Sequence, residues 1–289
     1  IVASQTGETK PPPATFADQS VASVPAVATS PAVDGALPEP KVFVDAKKVN
    51  RGIHAFHNQH SPITEEYRMM RTNVHSLSKG VKHVPKVVLF TSSVENEGKT
   101  ITTINYSYTL ACDRGKKVVL LDCDLRKGTT LKYFGLESSS QPGLSDLLDG
   151  KANVEDVIVG TRRDNFHVIF RGSLIDDPVE ALGSEAMKRV IERLKTMYDH
   201  VILDAPPVLP VTDATVLADF ADGVIMVVKL NKTPKSTVNQ AIEVLKQTHT
   251  NVLGCVLTNV EYESQGYKKY YYYTTYGTYG DPRDTQKKE

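Results

Sequence analysis

The sequence predicts an α/β fold, with a doubly wound, mostly parallel sheet and helices on both faces. Short apolar runs rich in Val, Ile and Leu recur at Lys86–Thr91, Lys117–Asp122, Phe166–Phe170, His200–Asp204, Gly223–Val228 and Val252–Leu257. These runs are continuous rather than alternating, which is typical of strands buried on both faces. Longer helical patterns separate them, at Thr100–Asp113, Pro178–Tyr198, Asp213–Phe220 and Lys235–Thr248. Such alternation indicates βαβ units, which bind ligands beyond the carboxyl ends of their strands.

The two ends of the chain differ in composition from this repeating part. Residues 1–45 are rich in Pro and Ala, and residues 1–40 hold seven of the sixteen prolines. Such a stretch buries too little apolar surface to offset its ordering entropy, so we predict a disordered linker. Residues 263–289 are predicted to be a flexible tail, in which seven of the thirteen residues from Tyr267 to Tyr279 are tyrosine. Residues 46–262 are the predicted folded domain, which is long enough for one solid core.

Composition excludes several classes of protein. The 289 residues include 34 Lys and Arg against 34 Asp and Glu, so no overall basic field for nucleic acid is expected. The three cysteines lie far apart, which argues against a disulfide framework or a zinc site and fits a reducing, cytoplasmic compartment. No apolar run approaches the roughly 18 residues that a membrane span needs. Because the chain opens with Ile1, we expect a fragment whose upstream part could span a membrane.

The loop after the first predicted strand has the form of a phosphate-binding loop. Gly98-Lys99-Thr100 matches the end of the Walker A pattern G-x4-G-K-[ST], although Ser93 replaces its first glycine. In this pattern, backbone N–H groups at a helix N-terminus bind phosphate oxygens. Lys99 is predicted to reach the β- and γ-phosphates of ATP, and the Thr100 hydroxyl to bind Mg²⁺. The alternative is a chance GKT in a surface turn, and the flanking strand and helix argue against it.

Three other residues of this loop, Glu95, Asn96 and Glu97, bear on its ability to bind phosphate. Asn96 stands where a glycine is common, and Asn tolerates the left-handed conformation better than most residues. Glu95 and Glu97 place carboxylates beside a polyanion, so we expect their side chains to point away from it. The residues predicted to bind the nucleotide are Asn96, Glu97, Gly98, Lys99, Thr100, Ile101, Arg126 and Asn259. For Asn259, a contact to the adenine edge and a simple turn role both remain open.

The second unusual loop follows the strand Lys117–Asp122 and reads Asp122-Cys123-Asp124-Leu125-Arg126. Two carboxylates at the tip of a buried strand are costly unless a positive charge lies beside them. A hydrated Mg²⁺ with phosphates is the natural occupant. The alternative is that these are ordinary loop acids that cap the turn at Thr129–Phe134.

The third unusual loop follows a strand of Walker B type. Val201-Ile202-Leu203-Asp204 is followed by Ala205-Pro206-Pro207, and the prolines end the strand. Asp204 is predicted to hold Mg²⁺ directly or through water, so the expected metal ligands are Thr100, Asp122 and Asp204. Downstream, Asp213 opens a helix either as part of its N-cap or as a member of the site. Together the three loops indicate a P-loop NTPase-like fold.

These motifs and the tyrosine-rich end resemble the bacterial tyrosine kinases, of the capsular exopolysaccharide and polysaccharide co-polymerase type. That family has a Walker A motif, a Walker A′ motif of apolar residues followed by D-x-D-x-R, a Walker B motif and a C-terminal tyrosine cluster. The resemblance covers about residues 60–280. Two departures are the family's Pro-Gly replaced by Glu95-Asn96 and its Pro replaced by Gly128, and they predict weaker ATP binding.

A fourth motif of the family is E-x2-R-x2-R, which this chain matches at Glu65, Arg68 and Arg71. In the family it packs subunits into a ring, so the resemblance implies a homo-oligomer with these residues at its interface. On a helix the three positions form one broad stripe. The alternative is an intrahelical Glu–Arg pair, worth roughly 0.2–0.5 kcal/mol.

The resemblance also implies a reaction and its partners. The expected activity is protein-tyrosine autophosphorylation in trans, with ATP and Mg²⁺ and with Lys99, Asp122, Asp124 and Asp204 as catalytic residues. The expected acceptors are Tyr267, Tyr270, Tyr271, Tyr272, Tyr273, Tyr276 and Tyr279. Expected partners are a membrane chain-length (co-polymerase) protein, fused upstream or separate, and a protein-tyrosine phosphatase. The process would be polymerisation and export of capsule or exopolysaccharide, at the inner face of the bacterial membrane.

Two other interpretations compete with this one. A partitioning or cell-division ATPase of the ParA/MinD kind shares the sheet and both Walker motifs. Such proteins place a signature lysine where this chain has Val94, and they lack a tyrosine cluster. A non-enzymatic, nucleotide-gated scaffold is the second, because exposed tyrosines also bind partners well.

Overall fold

The computed structural model describes residues 37–77, 85–113, 115–136 and 141–260. Within these ranges one sheet contains eight strands, in the order β1-β4-β5-β3-β6-β2-β7-β8. The strands are β1 (Val42–Phe43), β2 (Val87–Ser92), β3 (Val118–Asp122), β4 (Ile158–Gly160), β5 (Phe166–Ile169), β6 (His200–Asp204), β7 (Gly223–Lys229) and β8 (Val252–Thr258). All neighbouring pairs are parallel except β4 with β5. The predicted α/β fold with a mostly parallel sheet is confirmed.

Ten helices accompany the sheet in the described ranges. They are α1 (His54–His57), α2 (Pro62–Leu77), α3 (Lys99–Ala111), α4 (Thr130–Tyr133), α5 (Leu144–Leu148), α6 (Val154–Val157), α7 (Pro178–Leu182), α8 (Glu185–Met197), α9 (Asp213–Ala218) and α10 (Lys235–Leu245). None of the helices in these ranges is long and apolar enough to cross a membrane.

The sheet divides the core into two apolar layers. On β2, Val87 and Leu89 pack into one layer with α8 and α9, whereas Val88 and Phe90 pack into the other with α1 and α3. Every residue of β2 and β3 is buried, which is why these segments are apolar without alternation. Full burial of each such side chain stabilises the fold by roughly 1.5–3 kcal/mol.

The structure corrects the predicted elements at three points. The sequence did not predict β1 or β4, and β1 lies within residues 1–45, so pairing into the sheet begins inside the segment predicted as linker. The single helix predicted over Pro178–Tyr198 is two helices, because Ser184 begins α8 as its N-cap, accepting a hydrogen bond from the Met187 N–H at 3.2 Å. Residues 1–36 and the whole tyrosine cluster lie outside the described residues.

Candidate active site

The three loops chosen from the sequence meet at one edge of the sheet. The strand order places β6 between β3 and β2, so the loops that follow these strands are neighbours. Asp122 and Asp204 are direct partners in the β3–β6 register. The loops enclose a cleft of about 210 Å³, whose walls include Ser92, Asn96, Gly98, Lys99, Thr100, Asp124, Arg126, Lys127, Tyr133, Pro206 and Pro207.

The backbone of the first loop is shaped to receive an anion. Asn96 has a φ of 63° and Gly98 a φ of 89°, both in the left-handed region. Asn at the first position was anticipated, and glycine at the second follows because a Cβ there would be strained. The helix α3 begins directly after Gly98 without a side-chain cap and without an acidic residue in its first turn. Its first N–H groups and its dipole are therefore directed at the cleft.

The two glutamates of the loop are held in different ways. Glu97 is buried and accepts hydrogen bonds from the Val94 N–H at 2.9 Å, the Lys229 N–H at 3.1 Å and the Thr233 hydroxyl at 2.6 Å. Its carboxylate thus anchors the loop to the end of β7. Glu95 is half exposed, lines the cleft and forms an ion pair of 2.6 Å with Lys127 across it, so the expectation that its side chain points away is wrong.

Lys99 lies among carboxylates at the centre of the site. Its Nζ donates to the Asp204 Oδ1 at 2.9 Å and to the Thr100 hydroxyl at 3.2 Å. Burial lowers the pKa of Lys99, but the surrounding carboxylates, Asp204 first, outweigh burial and raise it above its usual range. Lys99 therefore stays protonated, as binding of phosphate by its ammonium group requires. Asp204 also accepts hydrogen bonds from the hydroxyls of Thr103 at 3.2 Å and Thr130 at 3.3 Å.

Asp122 has the features of a metal ligand. Its side chain is fully buried and its Oδ2 has no hydrogen-bond partner. Burial, together with the nearby Asp204 carboxylate, raises the pKa of Asp122 to about 8. A buried carboxylate oxygen with no donor is costly, and a cation would satisfy it.

The donor set fits Mg²⁺ rather than a metal held by protein ligands alone. The described residues contain no group of three or more His, Cys, Asp or Glu that could hold a metal. Mg²⁺ needs only one or two carboxylates when phosphate oxygens and water complete its shell. The carboxylates of Asp122 and Asp204, with the Thr100 hydroxyl at the start of α3, supply such a partial set.

Arg126 is held in the cleft by a residue whose role the sequence left open. Its Nε and Nη2 each donate to the carboxylate of Asp213 at 3.0 Å, and Asp213 is fully buried. Thr212, the N-cap of α9, makes no side-chain capping bond. Asp213, the residue that follows this N-cap, contacts the cleft residue Arg126, and a role for Asp213 in the site stays a prediction.

Of the remaining predicted residues, Asp124 lines the cleft, whereas Ile101 and Asn259 do not. Asp124 is nearly buried and accepts the Lys127 N–H at 3.0 Å, so its carboxylate stabilises the second loop as well as lining the cleft. Ile101 packs against Gly52 on the outer side of α3. Asn259 is exposed, has a φ of 60° in the turn after β8 and does not line the cleft, so its adenine contact stays a prediction.

Lys127 and Tyr133 line the cleft, and sequence reasoning missed both. Lys127 follows the D-x-D-x-R motif directly, and that position was the available signal. Tyr133 carried no signal, because it enters the cleft from the short helix α4.

The residues predicted for the subunit interface make contacts within the chain. Arg68 donates to Glu65 at 2.7 Å, which is the intrahelical pair considered as the alternative. Arg71 donates to the Thr109 carbonyl oxygen at 3.1 Å and so fastens α2 to α3. Whether the motif also contacts a second subunit stays a prediction.

Comparisons with known proteins agree with the site. A model of the AAA domain family matches residues 87–256. The chain is 34% identical over 233 residues to tyrosine-protein kinase YwqD of Bacillus subtilis, covering 81% of this chain and 93% of that protein. It is 31% identical over 229 residues to tyrosine-protein kinase ptk of Acinetobacter johnsonii, where it spans only 31% of the relative's length.

Solved structures give the same result. The kinase domain of Escherichia coli tyrosine kinase ETK superposes with a TM-score of 0.67 at 28% identity, covering 74% of this chain and 82% of that chain. A cobyrinic acid a,c-diamide synthase from Mycobacterium smegmatis, at 21% identity and a TM-score of 0.53, shares the fold alone. The AAA-domain match extends over more than half of the chain, and the similarity to the tyrosine kinase YwqD covers nearly all of that protein. The chain therefore belongs to the AAA-domain family and carries the kinase domain of a bacterial tyrosine-protein kinase.

Proposed function

We propose that this kinase transfers the γ-phosphoryl group of ATP to tyrosines 267–279 of a neighbouring copy and thereby regulates the polymerisation and export of capsule or exopolysaccharide. The observation that carries the proposal is the cleft at the sheet edge, which brings Lys99 and three carboxylates beside a free helix N-terminus. The same chain supplies a dense group of acceptors, seven tyrosines within thirteen residues.

The residues of the cleft divide the work of phosphoryl transfer. The N–H groups of α3 and the ammonium of Lys99 bind the β- and γ-phosphates, for which Lys99 exchanges its contact with Asp204 for phosphate oxygens. Thr100, Asp122 and Asp204 would hold Mg²⁺, and the ion would supply neutralisation of charge on the transferring group. Phosphoryl transfer needs mainly positioning and charge neutralisation, which this arrangement provides.

An aspartate of the second loop is proposed to accept the proton of the tyrosine phenol. A tyrosine phenol has a free pKa of about 10, so it needs a nearby base as it attacks. Asp124 lines the cleft, whereas Asp122 is fully buried behind it. Asp124 is therefore the better placed of the two to orient the phenol and take its proton, and Asp122 is better placed to bind metal.

Charge supports regulation by the tail. Residues 263–289 carry five basic and four acidic side chains, so the unmodified segment is nearly neutral. Each phosphorylation adds roughly −1.5 to −2 charges. A tail with three or four phosphates carries on the order of −5 to −8 charges, so at that stage the acidic cleft repels it and the assembly of copies loosens until a phosphatase reverses the modification.

A membrane chain-length protein is the proposed partner, either fused to the kinase or separate. The relatives differ in length, since the chain spans 93% of the Bacillus relative but 31% of the Acinetobacter relative, and the longer protein has room for a further part. The proposed location is the cytoplasmic face of the membrane.

Transfer in trans is tested by mixing two variants, neither of which can phosphorylate its own tail. One protein carries Lys99→Met and keeps its tyrosines, and the other keeps Lys99 but has Phe at the seven tail positions. With ATP and Mg²⁺, each alone should give no phosphotyrosine in the tail, and the mixture should label the Lys99→Met protein. Absence of labelling in the mixture, while wild type is labelled, would show that transfer is not in trans. Absence of tyrosine labelling in wild type would remove the proposed function.

The assembly is tested by its mass. Analytical ultracentrifugation of wild type should show an oligomer before ATP, smaller species after ATP, and the oligomer again after treatment with a tyrosine phosphatase. An assembly of the same mass in all three states would rule out the switch.

A further inference from the structure

A second cavity lies next to the kinase cleft, on the segment that leads from β1 to α1. Its volume is about 560 Å³, within the range of small-ligand sites, and its walls are formed by Ala46, Lys47, Val49, Arg51 and His57. None of these residues lines the nucleotide cleft, so the two cavities are distinct.

The walls of this cavity carry positive charge that no described residue neutralises. Lys47 and Arg51 are exposed and form no ion pair with another described residue. The Nε2 of His57 faces the carbonyl oxygens of Val49 at 3.0 Å and Asn50 at 3.1 Å, so this nitrogen carries a proton and donates. The acid nearest in sequence is Asp45, whose carboxylate accepts the Lys47 backbone N–H at 2.9 Å and leaves the ammonium free. The cavity is therefore suited to an anion.

Hydrogen bonds connect the wall of the cavity to a residue of the cleft and to α3. The N–H of Asn50, between two lining residues, donates at 2.8 Å to the carbonyl oxygen of Tyr133, which lines the nucleotide cleft. On the other side, Asn105 of α3 accepts from the Ala55 N–H at 2.9 Å and donates to the Gly52 carbonyl oxygen at 3.0 Å. Because α3 begins at the phosphate-binding Lys99, the basic cavity and the cleft share one rigid support.

The acceptor tyrosines have a regular spacing that suits two adjoining sites. Tyr267, Tyr270, Tyr273, Tyr276 and Tyr279 follow one another at intervals of three residues. In a bound peptide of polyproline II type, positions three apart lie on one face and about 9 Å from each other. A peptide of this kind therefore presents several acceptor tyrosines to the same surface of the protein.

We propose that the basic cavity binds a phosphotyrosine already formed in the tail and so holds the tail while a further tyrosine is phosphorylated. Lys47 and Arg51 pair with the phosphate, and the side chains of Ala46 and Val49 offer the aromatic ring an apolar wall. The inference rests on the proposed phosphorylation of the tail. It adds that phosphorylation of the cluster proceeds through several tyrosines without release of the segment.

The binding step is tested with a synthetic peptide, so that kinase activity plays no part. The peptide spans residues 264–282, either unmodified or with phosphotyrosine at position 273, and its binding to the full chain with Phe at the seven tail positions is followed by fluorescence anisotropy. We compare Lys47→Ala with Arg51→Ala against the control pair Lys235→Ala with Arg189→Ala. The control removes one lysine and one arginine that are likewise exposed and unpaired among described residues, but on α10 and α8.

The Lys47/Arg51 variant should bind the phosphopeptide at least about tenfold more weakly than the control pair, and the unmodified peptide within about twofold of it. Equal affinity of the two variants for the phosphopeptide overturns the proposal. Vesicles of phosphatidylserine and phosphatidylcholine form a second arm. Lys47/Arg51-dependent binding to vesicles without such binding to the phosphopeptide overturns it in favour of a membrane surface.

A second readout separates this inference from the proposed function. In the otherwise wild-type chain, intact-mass spectrometry after ATP should show singly phosphorylated tails for the Lys47/Arg51 variant and multiply phosphorylated tails for the control pair. The rate of the first phosphorylation should be the same in both. Identical distributions for the two variants refute the retention of the tail while leaving tail phosphorylation itself intact.

Discussion

The fully buried carboxylate of Asp213 holds the guanidinium of Arg126 through two hydrogen bonds of 3.0 Å. The pair joins the loop after β3 to the start of α9, over a sequence separation of 87 residues. A planar guanidinium that is bound at two of its nitrogens has a fixed orientation. Asp213 therefore decides where Arg126 lies in the cleft.

Asp213→Asn should impair nucleotide use without affecting the phosphate loop. Asparagine offers one oxygen and no charge, so Arg126 loses its fixed position in the cleft. We expect KM for ATP to rise several-fold and kcat to fall about tenfold or more. Steady-state kinetics check this against Asp219→Asn, which removes an exposed carboxylate at the end of the same helix. Arg126→Lys should resemble Asp213→Asn, because lysine cannot pair with the carboxylate at two points. If Asp213→Asn had wild-type kinetics, the ion pair between Arg126 and Asp213 would have only a structural role.

The Arg126–Asp213 pair also shows which part of the site could not be predicted from the sequence. Each of the three loops could be located because its motif is contiguous and follows a largely apolar strand. The role of Asp213 could not, because its partner lies far away in the chain and an acid at a helix start is equally typical of an N-cap. Strand β4 was missed for another reason, since Ile158–Gly160 is too short to show periodicity and pairs antiparallel across a tight connection.

The two aspartates of the second loop should respond differently to amidation. Burial raises the pKa of Asp122 to about 8, so at pH 8.5 the folded, Mg²⁺-free protein holds a buried charge at this carboxyl group. Asp122→Asn removes that charge and should therefore make the Mg²⁺-free protein more stable at pH 8.5. The same change should lower activity about 100-fold or more and weaken its dependence on Mg²⁺. Asp124→Asn should lower activity with little change in stability, because the asparagine oxygen can still accept the Lys127 N–H. Thermal unfolding and phosphorylation assays across Mg²⁺ concentrations separate the two, and unchanged turnover in both would make them ordinary loop acids.

Glu95→Gln should strengthen ATP binding. In the structure Glu95 draws the Lys127 ammonium to itself at 2.6 Å across the cleft, although both side chains are about half exposed. Exposed pairs of this kind are worth about 0.2–1 kcal/mol, so freeing Lys127 for phosphate should lower KM for ATP by about two- to fivefold. Glu192→Gln, which breaks the exposed pair with Lys195 on α8, is the matched control. A KM that is unchanged or higher in Glu95→Gln would contradict a competition between glutamate and phosphate.

Stability should fall as the pH drops from 6.5 to about 4, through His167. Its Nδ1 lies 2.7 Å from the Tyr198 hydroxyl in the core, and burial lowers the pKa of His167 to about 4, whereas the unfolded value is about 6.5. Between these values the unfolded chain binds the extra proton, so stability is complete above pH 6.5 and decreases below it. Urea unfolding should show that wild type loses about 2 kcal/mol more than His167→Gln between pH 7.5 and pH 5.0. Parallel losses in the two proteins, with the exposed His60→Gln as control, would exclude His167 as the source.

The residues of the motif on α2 should differ in their roles. Glu65 and Arg68 should affect the assembly of subunits, and Arg71 should affect the stability of the fold. Glu65 and Arg68 pair with each other on the surface of the helix, whereas Arg71 donates to the Thr109 carbonyl oxygen of α3. Glu65→Ala with Arg68→Ala should therefore shift the unphosphorylated protein to monomer in analytical ultracentrifugation with a change in stability below about 0.5 kcal/mol. Arg71→Ala should cost about 1–2 kcal/mol of stability, because it removes a charge-assisted hydrogen bond between two helices. Glu185→Ala with Lys188→Ala, a comparable exposed pair on α8, controls for loss of surface charge. Should the Glu65/Arg68 variant keep the mass of the wild-type assembly, the first two residues of the motif make only the intrahelical pair, and subunits meet through another surface.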